Sequence, residues 1–211
     1  MEDWLLLFAL LALLAIARAV LSSSWFKGWI GERRVRGALS SLDENTYHVL
    51  NDVTLPAEDG TTQIDHVVVS PYGVFVIETK NMQGWIFGRE RQAQWTQQIY
   101  RHKQRFQNPL RQNYKHTQTL IELLSLSREV VKPVIAFVGG ASLRTEMPPN
   151  VTTGTGFLQY IKSHQEPVLS GEEVAAIVEG IQTLRLAPGL KTHRAHVQHV
   201  KQLQQQRARN A

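Results

Sequence analysis

The sequence predicts a mixed α/β domain, carried behind an apolar N-terminal helix and followed by a helical extension. Three observations predict it. Two β-branched-rich runs, Gln63 to Ser70 and Val74 to Thr79, flank Ser-Pro-Tyr-Gly, which is hairpin chemistry. Apolar residues recur at helical spacing before and after those strands. A further run, Val130 to Val138, comes after a helical segment, so it can join the sheet in parallel after a crossover. Of 211 residues 43% are hydrophobic, enough to bury a core and to exclude wholesale disorder.

At the N-terminus, Trp4 to Leu21 is apolar apart from Arg18 and spans about 27 Å as a helix, close to the hydrocarbon thickness of a bilayer. Trp4 and Trp25 stand at its two ends, where interfacial aromatics belong, and Arg18 is near enough to the second interface to snorkel. A cleaved signal peptide competes through Ala17-Arg18-Ala19, but Met-Glu-Asp is acidic where a signal needs bases. A buried core helix lacks a polar face and is disfavoured. Residues 1–24 are therefore expected to be a transmembrane anchor. Lys27, Arg33, Arg34 and Arg36 place the rest of the chain on the cytoplasmic side of the cell (inner) membrane.

Trp25 to Leu42 reads as a helix through Val35, Ala38, Leu39 and Leu42. Tyr47 to Val53 reads as a strand, 56–60 as a loop, and the hairpin comes next. Gly84 to Gly88 is a short strand. The Gln-rich stretch from Trp95 is expected to lead into a helix over Leu110 to Leu126, entered through Asn108 as N-cap and Pro109 at the first helical position. Pro133 suggests that the 130–138 strand lies at an edge or is starting there. Ser170-Gly171-Glu172-Glu173 opens a last helix carrying Val174, Ile177, Val178, Ile181 and Leu184. The division expected is thus 1–24, a central domain over 25–145, and a helical extension with a basic tail over 146–211.

Cysteine is absent, which excludes disulfides, thiolate nucleophiles and zinc ribbons within the chain. Lys and Arg outnumber Asp and Glu by 23 to 18, and the excess is concentrated. Arg89 to His116 holds seven bases against Glu90 alone, interleaved with Trp95, Tyr100, Phe106 and Tyr114. Lys191 to Ala211 holds five bases and no acid. Such zones point to an anionic partner, nucleic acid or lipid, and Arg101, Lys103, Arg105, Arg111 and Lys115 are the candidate phosphate contacts. The tail histidines His193, His196 and His199 read as part of a solvated basic segment rather than as metal ligands.

The candidate chemistry lies at the end of the hairpin. Glu78 and Lys80 are two apart on one strand and continue the face of Val74 and Val76, while Phe75 and Ile77 make the opposite face apolar too. Pairing Ser70 with Gly73 sets Asp65 directly opposite Glu78; a one-residue bulge sets His66 there instead, and the sequence leaves both registers open. Two facing carboxylates repel, and a hard dication such as Mg²⁺ relieves that repulsion through oxygen ligands. Glu32, bordering the apolar stripe of its helix, is a third acid, and Lys80 is placed to position water or stabilise developing phosphorane charge. His66 reads as a packing residue.

Asp65, a dozen residues, then Glu78-Thr79-Lys80, with Glu32 upstream, resembles the PD-(D/E)xK nuclease superfamily. The longer string Gln63-Ile64-Asp65-His66 to Glu78-Thr79-Lys80-Asn81, with Gly31-Glu32 and Tyr47 to Val53 before it and Gly84-Trp85 and Gln107 to Asn113 after, resembles the NERD (nuclease-related) domain over roughly Gly28 to Arg144. The resemblance implies a restriction-endonuclease-like mixed sheet flanked by helices. It implies Mg²⁺ or Mn²⁺ on Asp65 and Glu78 with Glu32 assisting, the catalytic lysine role for Lys80, and polar site positions at Gln97, Asn108 and Gln112. The function expected is a membrane-anchored, metal-dependent endonuclease acting on DNA; the alternative is a non-catalytic, membrane-tethered module that binds nucleic acid or protein.

Overall fold

A computed structural model of the chain describes residues 2–58 and 60–187. It is a mixed α/β structure with two sheets flanked by helices. Helix α1 (Glu2–Ser22) leads into α2 (Ser24–Leu39), which Ser23 caps by accepting from the Phe26 N–H. The strands β1 (His48–Ala57), β2 (Gly60–Ser70), β3 (Gly73–Lys80) and β4 (Gly84–Phe87) come next, then β5 (Gln94–Ile99) and β6 (His102–Gln107). Helix α3 (Pro109–Leu124) leads to β7 (Val131–Phe137), β8 (Ala141–Leu143) and β9 (Val151–Thr153), and α4 (Gly156–Ser163) and α5 (Gly171–Leu184) close the described chain.

The main sheet has the order β1-β2-β3-β7-β9 and the smaller one β6-β5-β4-β8. β1, β2 and β3 are antiparallel neighbours, and β7 joins β3 in parallel after the α3 crossover, as the sequence predicts. Residues 146–187 belong to the same body: β9 is the fifth strand of the main sheet, α5 packs Val174, Ile177 and Ile181 on one of its faces, and α4 packs Phe157 and Ile161 on the other. Pro133 lies where β7 has only β3 beside it, because pairing with β9 begins at Ile135. The missing N–H therefore falls on a locally free edge.

Two sequence expectations are corrected. Residues 94–107 form the β5–β6 hairpin rather than a polar approach to a helix; Trp95 anchors it by stacking on Phe137 of β7, 6.3 Å between ring centroids. The loop expected over 56–60 is strand as far as Ala57 and again from Gly60.

At the N-terminus the apolar run of α1 lies open, with Leu13 64% and Ile16 62% exposed. Among the described residues no single helix is long and apolar enough to cross a membrane; Leu10–Leu21 and Trp25–Leu39 reach that measure together, bent by 57°. The basic tail and its three histidines lie outside the described residues.

Candidate functional site

The main sheet is interrupted at one register, and the acids sit there. The β2–β3 ladder pairs Ser70 with Gly73 and runs to His66 with Ile77, so the direct register of the two left open is the one adopted. It stops one step before Asp65 meets Glu78. On the other side, β1 and β2 pair up to Asn51 with His66 and resume at Val53 with Ile64, skipping Asp52 opposite Asp65. Asp52 has a positive φ of 54°. Both strands change face there: Leu50, Val67 and Val69 share one core layer with Val53, Leu55 and Ile64, although strict alternation would put the two sets on opposite faces. Freed from the ladder, Asp65 turns its carboxylate to the neighbouring strand, where Oδ2 accepts the Thr79 backbone N–H at 2.8 Å.

Glu78 and Lys80 extend the face of Val74 and Val76 towards α3. Lys80 Nζ donates to Glu78 Oε1 at 2.6 Å and to Gln112 Oε1 at 2.9 Å. His116, one turn along α3 from Gln112, brings Nε2 to 3.2 Å from Glu78 Oε2, an ion pair when the imidazole carries its second proton. Its Nδ1 meets Thr62 Oγ1 at 2.6 Å, which fixes the ring. Between them Asn113 donates its amide to the carbonyls of Val76 and Val134, tying α3 across the β3–β7 seam.

The charges explain the titration. Burial and the neighbouring Glu78 and Glu32 push the Asp65 carboxyl well above its ordinary range, against the smaller help of Thr79 N–H and Lys80. Burial works against ionised Glu78 as well, but Lys80 and His116 outweigh it and hold the carboxyl below the usual range. Lys80 is likewise opposed by burial and held above its ordinary value by Glu78 and Asp65. Glu32 is pushed up by burial, then by Asp52 and Glu78, with Arg36 pulling the other way. Glu32, from α2, therefore belongs to the same field. The helix comes this close because residue 31 is glycine: a Cβ there would lie 2.7 Å from Asn81 Cβ.

Asp65, Glu78, Lys80, Glu32 and Gln112 are thus brought together. Gln97 is not in their hydrogen-bond network; it donates to the Gln83 carbonyl from β5. Asn108 is the α3 cap, accepting from Leu110 N–H and donating to the carbonyls of Glu90 and Gln92. Arg101, Lys103 and Arg105 are exposed on the β5–β6 hairpin, and Arg111 and Lys115 are exposed on α3. Trp95 and Phe106, offered by the sequence as stacking aromatics, pack inside. His66 is packed as expected, donating to Asn51 Oδ1 at 2.7 Å, and burial and then Arg36 lower its pKa to about 4. The sequence reading missed His116 and Asn113; the available signal was polar side chains on the inward face of α3.

Among the described residues no three His, Asp or Glu side chains form a ready metal-ligand group. By donor type and charge the cluster nonetheless suits a hard dication: its donors are carboxylate oxygens, and Asp65 is crowded by two further acids. Asp65 and Glu78 are the side chains that could hold one, with Glu32 in the same field and Lys80 competing for Glu78.

An uncharacterized protein of Bacillus anthracis is 54% identical over 96 residues, a stretch covering 45% of each chain. The chain thus spans about half the length of that relative. No solved structure gives a significant match. Residues 27–138, which hold every acid of the cluster together with Lys80, Gln112 and His116, match the nuclease-related domain, and the chain belongs to that family, NERD.

Proposed function

We propose that this protein is a membrane-anchored, metal-dependent phosphodiester hydrolase that cuts DNA on the cytoplasmic side. The observation that carries the reading is the convergence of Asp65, Glu78 and Lys80 where the β2–β3 ladder ends, with Gln112 holding the ammonium. Mg²⁺ or Mn²⁺, when bound, supplies Lewis-acid polarisation of the phosphate and a more acidic water. Asp65 and Glu78 would hold it, and Glu32 would add negative charge from α2. Lys80 directs a fixed positive charge at the reacting phosphate and orients the attacking water; Gln112 keeps its three donors from swinging freely. His116, its ring fixed by Thr62, meets Glu78 from the far side. Arg111 and Lys115, exposed on α3, and the hairpin bases would take the phosphodiester backbone.

The anchor rests on α1, whose leucines from Leu7 to Leu21 are exposed, and on Trp25 and Trp29, both exposed at the start of α2, with Arg33 stacked 4.8 Å from the Trp29 ring centroid. Aromatics beside cations suit a headgroup interface. Cleavage of supercoiled plasmid in Mg²⁺ or Mn²⁺, abolished by chelator and by Asp65→Ala or Lys80→Ala, tests the hydrolase; equal nicking by wild type and Lys80→Ala rejects the lysine role. Recovery in the membrane fraction, lost on deleting residues 1–24, tests the anchor.

One observation favours a second reading. The Lys80–Glu78 pair already neutralises Glu78, as it would in a non-catalytic, tethered binding module. Calorimetry decides between them: Mg²⁺ or Mn²⁺ heat in wild type that Asp65→Ala abolishes supports the hydrolase, and no heat in either supports the module.

A further inference from the structure

The small sheet offers a surface that the acid cluster does not use. One of its faces is buried: Ile86 and Trp95 pack with Ile135 and Phe137 of the main sheet. The other face is set by the register. Trp85 lies opposite Gln98, which lies opposite Lys103; Phe87 lies opposite Thr96, which lies opposite Arg105. Partners across a ladder, and residues two apart along a strand, share a face. Trp85, Phe87, Lys103 and Arg105 therefore stand together. Trp85 is 45% exposed, and Phe87 meets it edge-on with centroids 6.5 Å apart. Arg144, just past β8, lays its guanidinium 4.5 Å from the Trp85 ring centroid. The four strands of this sheet contain no Asp or Glu.

We infer that this face of the β4–β5–β6 sheet is a stacking platform for single-stranded nucleic acid. The half-exposed indole, with the Arg144 guanidinium over its ring, offers an aromatic and a cationic stacking partner to an unpaired base, and Lys103 and Arg105, one strand across from β5, lie where the phosphates of the same strand would run. Paired bases keep their faces covered in the duplex, so the aromatic half of the surface reads single strands only. An acidic protein would use the cations and leave the indole idle. The platform begins close to the acid cluster in the chain, since Asn81, Met82 and Gln83 alone separate Lys80 from β4. It thereby deepens the nucleic-acid part of the proposed function and rests on it, while its test does not require cleavage.

The test is fluorescence anisotropy of labelled oligo(dT), and of the matching oligo(dA)·oligo(dT) duplex, with the full chain in mild detergent and excess chelator. The single strand should bind tighter than the duplex. Trp85→Ala should weaken single-strand binding by about tenfold, and Trp85→Phe should restore most of it. Lys103→Gln with Arg105→Gln should lower the slope of log affinity against log salt by about 1.4, at about 0.7 per phosphate contact, with little change in base stacking. Tighter duplex binding, or unchanged affinity in Trp85→Ala, overturns the platform. Plasmid cleavage by a protein that ignores oligo(dT) overturns it too and leaves the hydrolase standing. Trp85-dependent binding by a protein that cuts nothing upholds the platform and removes the hydrolase.

Discussion

Lys80→Met keeps most of the side-chain length and deletes the charge, so it isolates what the ammonium does for Glu78. That carboxylate is 3% exposed and has Lys80 Nζ at 2.6 Å on one oxygen and His116 Nε2 at 3.2 Å on the other. Removing one partner of a buried pair typically costs about 3–5 kcal/mol. Two features reduce it here. Lys80 is 20% exposed, so water reaches the place it leaves, and Glu78 can take up a proton. A loss of roughly 2–3 kcal/mol is expected, a fall in Tm of about 4–12 °C for a chain of this size. Lys80→Met with Glu78→Met removes both charges and should recover most of the loss. The assay is urea denaturation followed by tryptophan fluorescence, as a double-mutant cycle at constant m. The sign with pH is also determined. The folded pKa of Glu78 lies below the ordinary 4.5, so its contribution is present above 4.5 and lost as pH falls through the lower folded value. Without Lys80, burial prevails and the pKa rises, so the gap between wild type and Lys80→Met should narrow on acidification. A single variant within about 0.5 kcal/mol of wild type, or a double variant as unstable as the two singles added, refutes the pairing.

Three further outcomes are expected. Asp65 has a raised folded pKa, so its favourable contribution exists below the ordinary 3.8 and is lost as pH rises through the folded value. Asp65→Asn, which can still accept the Thr79 N–H, should therefore melt a few degrees higher than wild type at pH 8 in chelator, while millimolar Mg²⁺ should raise the wild-type Tm alone; a variant no more stable than wild type in chelator would count against the acid crowding, and a wild-type Tm unmoved by Mg²⁺ against the metal. Asn113→Leu keeps the volume and removes two buried hydrogen bonds across the β3–β7 seam, a loss of about 2–3 kcal/mol in urea titration; a loss under about 1 kcal/mol would show that the seam holds without it. Gly31→Ala adds about 1 kcal/mol of helix propensity but forces a Cβ to 2.7 Å from Asn81, an overpacking cost of about 1–3 kcal/mol. A net loss near 1 kcal/mol is expected by the same assay, and a net gain would mean that α2 does not press on β3.

Much of the scaffold could be read from local chemistry. The Ser70–Gly73 hairpin, the Asn108 cap with Pro109 behind it, and the capping box of Ser170 and Glu173 all form as their residue types require. The parallel placement of β7 was legible from a β-branched run after a helix. The β5–β6 hairpin did not announce itself, because Gln94 to Gln107 carries almost no apolar alternation; Trp95 on Phe137 holds it in place, and that contact joins residues far apart in the chain. His116 was missed for the same reason: its partners, Thr62 and Glu78, come from two different strands.

The amino-acid sequence by itself determined strands β1 to β4 and β7, the capped helices, the family, and Asp65, Glu78 and Lys80 as one group, since alternation, turns, caps and spacing are set by neighbours along the chain. Tertiary structure decided how those groups are used. The shared break at Asp52 and Asp65, the clamp of α3 on Glu78 and Lys80, the burial of Trp95 and the exposure of Trp85 all depend on which surfaces meet across the sheets, and burial and Coulomb interaction act through space rather than along the chain.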